Sequence, residues 1–196
     1  KEYKLQRELF CQGSATSTSL ELDQSLTLKI EEINTWHEKI CHHQEDLLKG
    51  LGASYQQSNL FQSQTSKLIN QFAPLSLTPL PISFWRWPNA PHKGPAIYLV
   101  MARLLTSNKN IVLYIGETIA AEKRWKGEHD CKNYLSNYAE YLQKVGFKYQ
   151  LNIRFWIDVP KDTKSRKSLE QDLIQTWQPP FNKETRKRWA TPFTSQ

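Results

Sequence analysis

The sequence has few of the residues that build disulfide scaffolds, metal clusters or membrane spans. Its 196 residues include three cysteines, Cys11, Cys41 and Cys131, and no close Cys or His spacing of the kind that binds zinc. No apolar run approaches the roughly 20 residues of a membrane-spanning helix. The N-terminal stretch also lacks the long apolar segment of a secretory leader. We therefore expect free thiols, a cytoplasmic location and no membrane association.

Positive charge is scarce in the first half of the chain and abundant in the second. Residues 1–90 carry 8 Lys and Arg against 9 Asp and Glu, whereas residues 91–196 carry 18 against 10, within a net charge of +7. Such a basic half favours an anionic partner, and nucleic acid is the commonest. A solvated basic surface without a partner is the alternative interpretation.

The first 95 residues are predicted to form a helical extension and a linker. Apolar residues recur at helical spacing from Asp23 to Lys49, Gly50 follows as a C-cap, and a weaker helical pattern runs from Leu60 to Phe72. Residues 74–95 hold six of the ten prolines, which excludes a regular helix or central strand there. We assign 1–73 to the extension and 74–95 to the linker. The linker tryptophans, Trp85 and Trp87, are expected to pack on a neighbouring surface, with base stacking as the alternative.

Residues 96–196 are predicted to form an α+β domain. Two apolar runs, AIYLVMARLL and IVLYIG, indicate a β-hairpin across the polar turn TSNKN, and YQLNIRFWIDV indicates a third strand. Helical patterns begin near Ile119, run from Tyr134 to Val145, and occupy SRKSLEQDLIQTW before PPFN ends the helix. The expected fold is a small three-stranded antiparallel sheet flanked by helices and preceded by the helical extension.

Four motifs in order resemble the GIY-YIG nuclease superfamily over about residues 94–183. The first is Ala96, Ile97, Tyr98, with Ala in place of the usual Gly, and the second is Tyr114, Ile115, Gly116. Arg124 follows eight residues after that Gly. The helix with Glu170 and the later Asn182 resemble the acidic helix and terminal asparagine of the family. The resemblance implies an endonuclease whose catalytic residues are Tyr98, Tyr114, Arg124, His129, Glu170 and Asn182.

The resemblance also implies a role for each of these residues. Glu170 would hold one divalent ion, Mg²⁺ with Mn²⁺ as a substitute, because Mg²⁺ commonly uses few protein ligands and keeps its waters. Arg124 would bind phosphate oxygens through its planar guanidinium. Tyr98 would take the proton from the attacking water, which requires nearby positive charge because an ordinary phenol has a pKa of about 10.

Several positions depart from the family pattern. Fifteen residues separate Tyr98 from Tyr114, so we expect an extended hairpin loop through Ser107 and Asn110. His129 stands five residues after Arg124 instead of four, which leaves both a catalytic and a surface role open. Glu117 follows the second motif, where an acid near a phosphate is unfavourable unless it turns away or joins the metal site. With Ala96, these departures support a second hypothesis, a catalytically inactive DNA-binding or interaction module.

Basic clusters near the motifs are predicted to follow DNA phosphates, with a solvated surface as the alternative. They are Lys123 and Lys126, then Lys161, Lys164, Arg166 and Lys167, then Lys183, Arg186, Lys187 and Arg188. The sequence as a whole therefore predicts a Mg²⁺-dependent DNA endonuclease, of restriction type or structure-specific for repair or recombination. A homodimer through the N-terminal helices would let one catalytic centre cut each strand.

Overall fold

The computed structural model describes residues 15–50, 64–126 and 130–191. By its internal packing the chain divides into two compact units, Lys1–His37 and Glu38–Gln196. That division falls within the long helix α1, Ala15–Leu48. The boundaries expected from composition, after residues 73 and 95, stay a prediction.

Two helices are described before the linker. Helix α1 begins upstream of the predicted Asp23 and ends close to the predicted position, followed by Gly50 in the left-handed region at φ 74°. Helix α2 spans Gln64–Gln71. Leu60 and Phe61, at the predicted start of the second helical pattern, lie outside the described residues. Among the residues that are described, none of the helices could cross a membrane.

Over the described residues, the sheet is antiparallel and has four strands in the order β1-β4-β2-β3. The strands are β1, Leu80–Pro81, β2, Ala96–Leu104, β3, Lys109–Thr118, and β4, Tyr149–Trp156. The α+β prediction is confirmed, but the expected number of three strands is wrong. The linker supplies the additional strand, in which Leu80 pairs with Ile153. A two-residue strand containing proline is tolerated here because it lies at the edge of the sheet.

The β2–β3 hairpin is longer than predicted, but its loop is short. Pairing continues to Leu104 opposite Lys109, which leaves residues 105–108 as the turn. Asn108 takes the left-handed φ of 54°, and its side-chain oxygen accepts two hydrogen bonds from Arg103. A register shift after Val100 accommodates one unpaired residue in β3. The extra residues between the motifs therefore lengthen the strands, because each added pair satisfies backbone groups that a loop would leave to water.

Helices cover both faces of the sheet. The helices after the hairpin are α3, Ala121–Arg124, α4, Asp130–Lys144, and α5, Thr163–Trp177. On one face, Ile97, Leu99 and Met101 of β2 join the core residues Leu169 and Leu173 of α5. On the other face, α4 packs through Tyr138, whose ring contacts Tyr149 of β4. Since β2 is buried on both sides, its sequence is a continuous apolar run with no alternation.

The linker is held to the sheet by one buried arginine. Arg154 of β4 is 8% exposed, and its Nη1 donates to the carbonyl oxygens of Pro74, Leu75 and Leu77 at 3.0, 3.1 and 2.8 Å. These carbonyls belong to a short 3₁₀ turn that has no strand partner. The arginine therefore satisfies the backbone of a segment in which proline prevents regular pairing.

Candidate active site

The outer edge of β3 positions two of the predicted site residues. The Asn182 side chain bonds both backbone groups of Ile115, accepting from its N–H at 3.0 Å and donating to its carbonyl at 2.8 Å. Glu170 accepts through Oε1 from the N–H of Glu117 at 2.9 Å. Backbone groups of an edge strand need partners, and here α5 and the segment after it provide them. The strand edge thereby fixes Glu170 and Asn182 beside the second motif.

The glycine of the second motif makes room for the tyrosine of the first. Gly116 pairs with Tyr98 across the hairpin, and a Cβ built on Gly116 would lie 2.5 Å from the Tyr98 ring. No side chain fits at that distance. The Tyr98 ring therefore lies directly over the β3 backbone and stacks on Tyr114 with 5.9 Å between ring centroids.

Arg124, Tyr98 and Tyr114 form one connected group. Arg124 Nε donates to the Tyr98 hydroxyl at 3.0 Å, and the Arg124 guanidinium carbon lies 5.5 Å from the Tyr98 ring centroid. Arg124 ends the single-turn helix α3, and the next residue, Trp125, packs edge-on against Tyr98. The structure thus brings the three residues together as the motif order predicts.

The two phenols differ in exposure and in their ability to ionise. Tyr98 is fully buried, and burial followed by the neighbouring Tyr114 raises its pKa well above the ordinary value, although Arg124 opposes this. Tyr114 is half-buried and lines the cleft described below. Burial raises the pKa of Tyr114 to about 12, with Cys131 adding to the effect and the hydrogen bond from Tyr98 opposing it. Both phenols are neutral near pH 7, and Tyr114 is the one that faces the cleft.

Glu117 turns away from the site into a buried ion pair. Its Oε2 accepts from Arg166 Nε at 2.8 Å, with side-chain exposures of 16% for Glu117 and 0% for Arg166. Arg166 also donates through Nη1 to the carbonyls of Pro160 and Lys161 at 3.1 and 2.9 Å. This pairing offsets the charge of Glu117, which weakens its repulsion of a phosphate. It also means that Arg166 is unavailable as a surface contact, so we do not retain its predicted role in DNA binding.

A cleft of about 500 Å³ opens where these elements meet. Tyr114, Arg124, Glu170 and Asn182 all line it. A second tyrosine and arginine, Tyr134 and Arg186, also line it, and Arg186 Nη1 donates to the Tyr134 hydroxyl at 3.0 Å. Tyr134 was not predicted from the sequence, since it lies on the predicted helix α4 outside every motif. The remaining lining residues are Asp130, Cys131, Gln171, Ile174, Phe181, Lys183 and Glu184.

The other predicted positions are distributed around this cleft. Tyr98 lies behind it under Tyr114, and His129 lies outside the described residues. Lys183 and Arg186 line the cleft. The remaining basic residues predicted to contact DNA are exposed: Lys123, Lys126, Lys161, Lys164, Lys167, Lys187 and Arg188.

The acidic residues of the cleft fit a hard divalent ion held by few protein ligands. Within the described part of the chain no group of three or more His, Cys, Asp or Glu side chains could hold a metal. Glu170 is half-buried in the cleft, and its pKa is raised by burial and further by the charges of Glu117 and Glu184, despite the Glu117 N–H. A bound cation would relieve that unfavourable charge. One or two carboxylates in a roomy polar cleft suit Mg²⁺, which keeps several waters.

Comparison with known proteins agrees with this geometry. The model of the GIY-YIG catalytic domain matches residues 96–185. This match confirms the resemblance of these residues to the GIY-YIG nuclease superfamily. No curated protein and no solved structure is significantly similar to the chain.

The matched GIY-YIG domain contains both tyrosine motifs, the arginine, the acidic helix and the asparagine. It supports a nuclease activity. Two of the departures from the family pattern, Ala96 and Glu117, have structural explanations, whereas His129 lies outside the described residues. Ala96 is fully buried in β2 opposite Thr118, and Glu117 bonds Arg166. Neither side chain obstructs the cleft.

Proposed function

We propose that this protein is a Mg²⁺-dependent endonuclease that hydrolyses DNA phosphodiester bonds. The observation that supports it most is the meeting of Tyr114, Arg124, Glu170 and Asn182 around one cleft. The net charge of +8 over residues 91–196, from 18 basic and 10 acidic residues, supports a polyanionic substrate.

Arg124 binds the phosphate that is cleaved. Its Nε is held by the Tyr98 hydroxyl, which fixes the plane of the guanidinium. The terminal nitrogens then meet two phosphate oxygens in a bidentate arrangement, and the permanent charge stabilises the charge that develops during attack. Tyr98 is in this proposal a positioning residue, because it is buried behind the cleft.

Tyr114 is the phenol that contacts the attacking water. It lines the cleft, whereas Tyr98 does not. This assignment differs from the role that the family resemblance implies for Tyr98. Because the pKa of Tyr114 is about 12, the phenol holds its proton near neutrality and orients the water by hydrogen bonding. Proton removal by Tyr114 becomes effective only as the pH rises or as positive charge in the cleft lowers its pKa.

Glu170 holds the metal ion, with Glu184 close enough to contribute charge. Mg²⁺ held by Glu170 would supply electrostatic stabilisation of the charge that develops on the phosphate and on the leaving 3′-oxygen. Asn182 keeps the edge of β3 and the cleft wall in register through its two bonds to Ile115. Arg186, which also lines the cleft, offers a second guanidinium to the flanking phosphate.

We propose restriction-type, site-specific cleavage as the biological activity, in the cytoplasm. A nuclease domain with a helical extension suits it, and the alternative is cleavage of branched or damaged DNA. Mapping the cuts made in a random DNA pool distinguishes the two, because a defined short site supports restriction and a structural preference supports repair or recombination. The described residues give no support to the predicted homodimer, so we do not carry it forward.

Purified protein is expected to cut DNA with Mg²⁺, and Glu170→Gln is expected to lower the cleavage rate by at least about 100-fold, because it removes the metal-holding carboxylate. Asp172→Asn is the matched control, since Asp172 lies on the same helix but does not line the cleft. The measurement is nicking of supercoiled plasmid over a Mg²⁺ series. Equal rates for wild type and Glu170→Gln, or no cleavage of any DNA by wild type, would reject the proposal.

A further inference from the structure

A second depression lies beside the cleft and shares none of its lining residues. This groove, of about 600 Å³, runs between the linker near residues 82–86, helix α4 and strand β4. The two sites adjoin along the chain twice. Arg124 lines the cleft and Trp125 the groove, and Cys131 lines the cleft and Lys132 the groove. An extended molecule bound at Arg124 would therefore reach the groove within a short distance.

Two positive charges converge on one aromatic ring in the groove. The guanidinium carbon of Arg86 lies 5.0 Å from the Trp85 ring centroid, and Lys132 Nζ lies 5.5 Å from it. Lys132 Nζ is also 5.8 Å from the Trp125 ring. Cation–π attraction favours these placements over free rotation of two long side chains. Among the residues that the structure describes, those lining the groove include Arg86 and Lys132 and no Asp or Glu, which favours an anionic ligand.

The rest of the groove combines apolar and hydroxyl groups. Leu135 and Leu151 join Trp85 on its surface, and Ser83 and Ser136 add hydroxyl groups. A nucleotide has a matching division into an anionic phosphate and a flat, weakly polar base. An acidic peptide would match the charge, but the adjacency to Arg124 favours the strand whose phosphate is bound there.

We propose that this groove holds a nucleotide of the DNA strand next to the cleaved linkage. Its phosphate lies at Arg86 and Lys132, and its base lies against the aromatic and leucine side chains. The proposal rests on the proposed function, because it takes DNA as the substrate of the cleft. It gives the two linker tryptophans different roles: Trp85 lines the groove, whereas Trp87 is 45% exposed and does not.

The first test measures DNA binding in Glu170→Gln protein without Mg²⁺, so that no cleavage occurs. Fluorescence anisotropy of a labelled duplex and a single strand gives the dissociation constant over a salt series. The double variant Arg86→Gln/Lys132→Gln is expected to lower the slope of log K against log salt by about 0.7 on single strands and about 0.9 on duplex, since it removes the contact with one phosphate. Lys109→Gln/Lys148→Gln removes the same charge from exposed positions outside both sites and is expected to retain the slope.

The second test separates base stacking from general apolar packing. Trp85→Leu is expected to weaken DNA binding about 5- to 150-fold, the range that corresponds to one stacked base, and Trp85→Phe is expected to retain most of the affinity. Trp87→Leu is the control and is expected to bind as wild type does. Circular dichroism and thermal melting of each variant establish that it is folded.

The outcomes separate this proposal from the proposed function. Cleavage by wild type together with equal salt slopes in the two double variants overturns the groove proposal alone. The same holds if Trp85→Leu and Trp87→Leu bind equally. A wild-type protein that binds no DNA at any salt concentration overturns both proposals.

Discussion

Two side-chain amides make the same kind of contact with β3 in different surroundings. Gln44 of α1 exchanges hydrogen bonds with Val112, accepting from N–H at 2.8 Å and donating to the carbonyl at 3.0 Å. Asn182 does the same with Ile115. Gln44 is fully enclosed and also donates to the Trp177 carbonyl, whereas Asn182 lines the cleft. Burial and bonding alone therefore do not identify a functional polar residue, and the neighbouring open space does.

Removing the ion pair between Arg166 and Glu117 tests whether it keeps Glu170 in position at the edge of β3. Arg166→Met is expected to destabilise the protein by about 3 kcal/mol, because it leaves the largely buried Glu117 carboxylate without its partner. The folded variant is also expected to need more Mg²⁺ for half-maximal cleavage. The reason is that Arg166 holds Glu117, and the Glu117 N–H orients Glu170. Chemical denaturation and a Mg²⁺ titration of cleavage measure the two effects.

Lys167→Met is the control for this charge, because Lys167 is the exposed neighbour of Arg166. A rise in the Mg²⁺ requirement that is equal in both variants would contradict the positioning role. Mn²⁺ binding followed by electron paramagnetic resonance gives a readout that does not depend on cleavage.

The comparison of the two amides is sharpened by removing each of them. Asn182→Leu and Gln44→Met are each expected to cost about 2–3 kcal/mol of stability, since an unpaired buried backbone group costs about 1–3 kcal/mol. Only Asn182→Leu is expected to lower the cleavage rate of the folded protein, by about 10-fold or more, because Asn182 also forms the cleft wall. Denaturation midpoints and single-turnover rates provide the measurements. A similar loss of cleavage rate in Gln44→Met would contradict the distinction between the buried amide of Gln44 and the cleft-lining amide of Asn182.

The smallest effect is expected for the change in thermal stability that Glu170→Gln produces. Burial raises the pKa of its carboxyl in the folded state, so the protonated form favours folding. Its contribution is greatest below the ordinary pKa of about 4.3 and is lost as the pH rises through the raised folded value. At pH 7 the ionised carboxylate therefore opposes folding, and Glu170→Gln is expected to melt above wild type at pH 7 but not at pH 4. Asp158→Asn, at an exposed position outside the cleft, is the control. A lower melting temperature for Glu170→Gln at pH 7 would contradict the raised pKa.

Much of the architecture was predictable from local patterns. Continuous apolar runs predicted the paired strands β2 and β3, and helical spacing predicted α5 with its end before PPFN. The strand at Leu80–Pro81 was not predictable, because two residues carry no periodicity and its pairing depends on β4 alone. The length of the hairpin turn was likewise decided by cross-strand pairing.

The candidate site was predictable as a set of motifs, but not in its supporting contacts. Arg166 stands in a basic cluster that suggests an exposed surface, yet it is fully buried. A signal was present in the sequence, since Arg166 precedes Leu169, Leu173 and Trp177 at helical spacing and so shares their buried face. Gln44 gives a similar signal on the apolar stripe of α1, four residues after Ile40. A polar residue in line with an apolar stripe indicates a buried bonded group more often than composition suggests.

Because Gly116 has no side chain, a substitution at this one position tests how Tyr98 and Arg124 are held in place. Any substituent there must displace the Tyr98 ring, and the guanidinium of Arg124 is bonded to that ring's hydroxyl. A methyl group at Gly116 would displace the Tyr98 ring and, through the hydrogen bond of its hydroxyl, the Arg124 guanidinium that we propose binds the phosphate. In the proposed nuclease, the position of Arg124 therefore depends on Gly116 having only a hydrogen atom where it pairs with Tyr98.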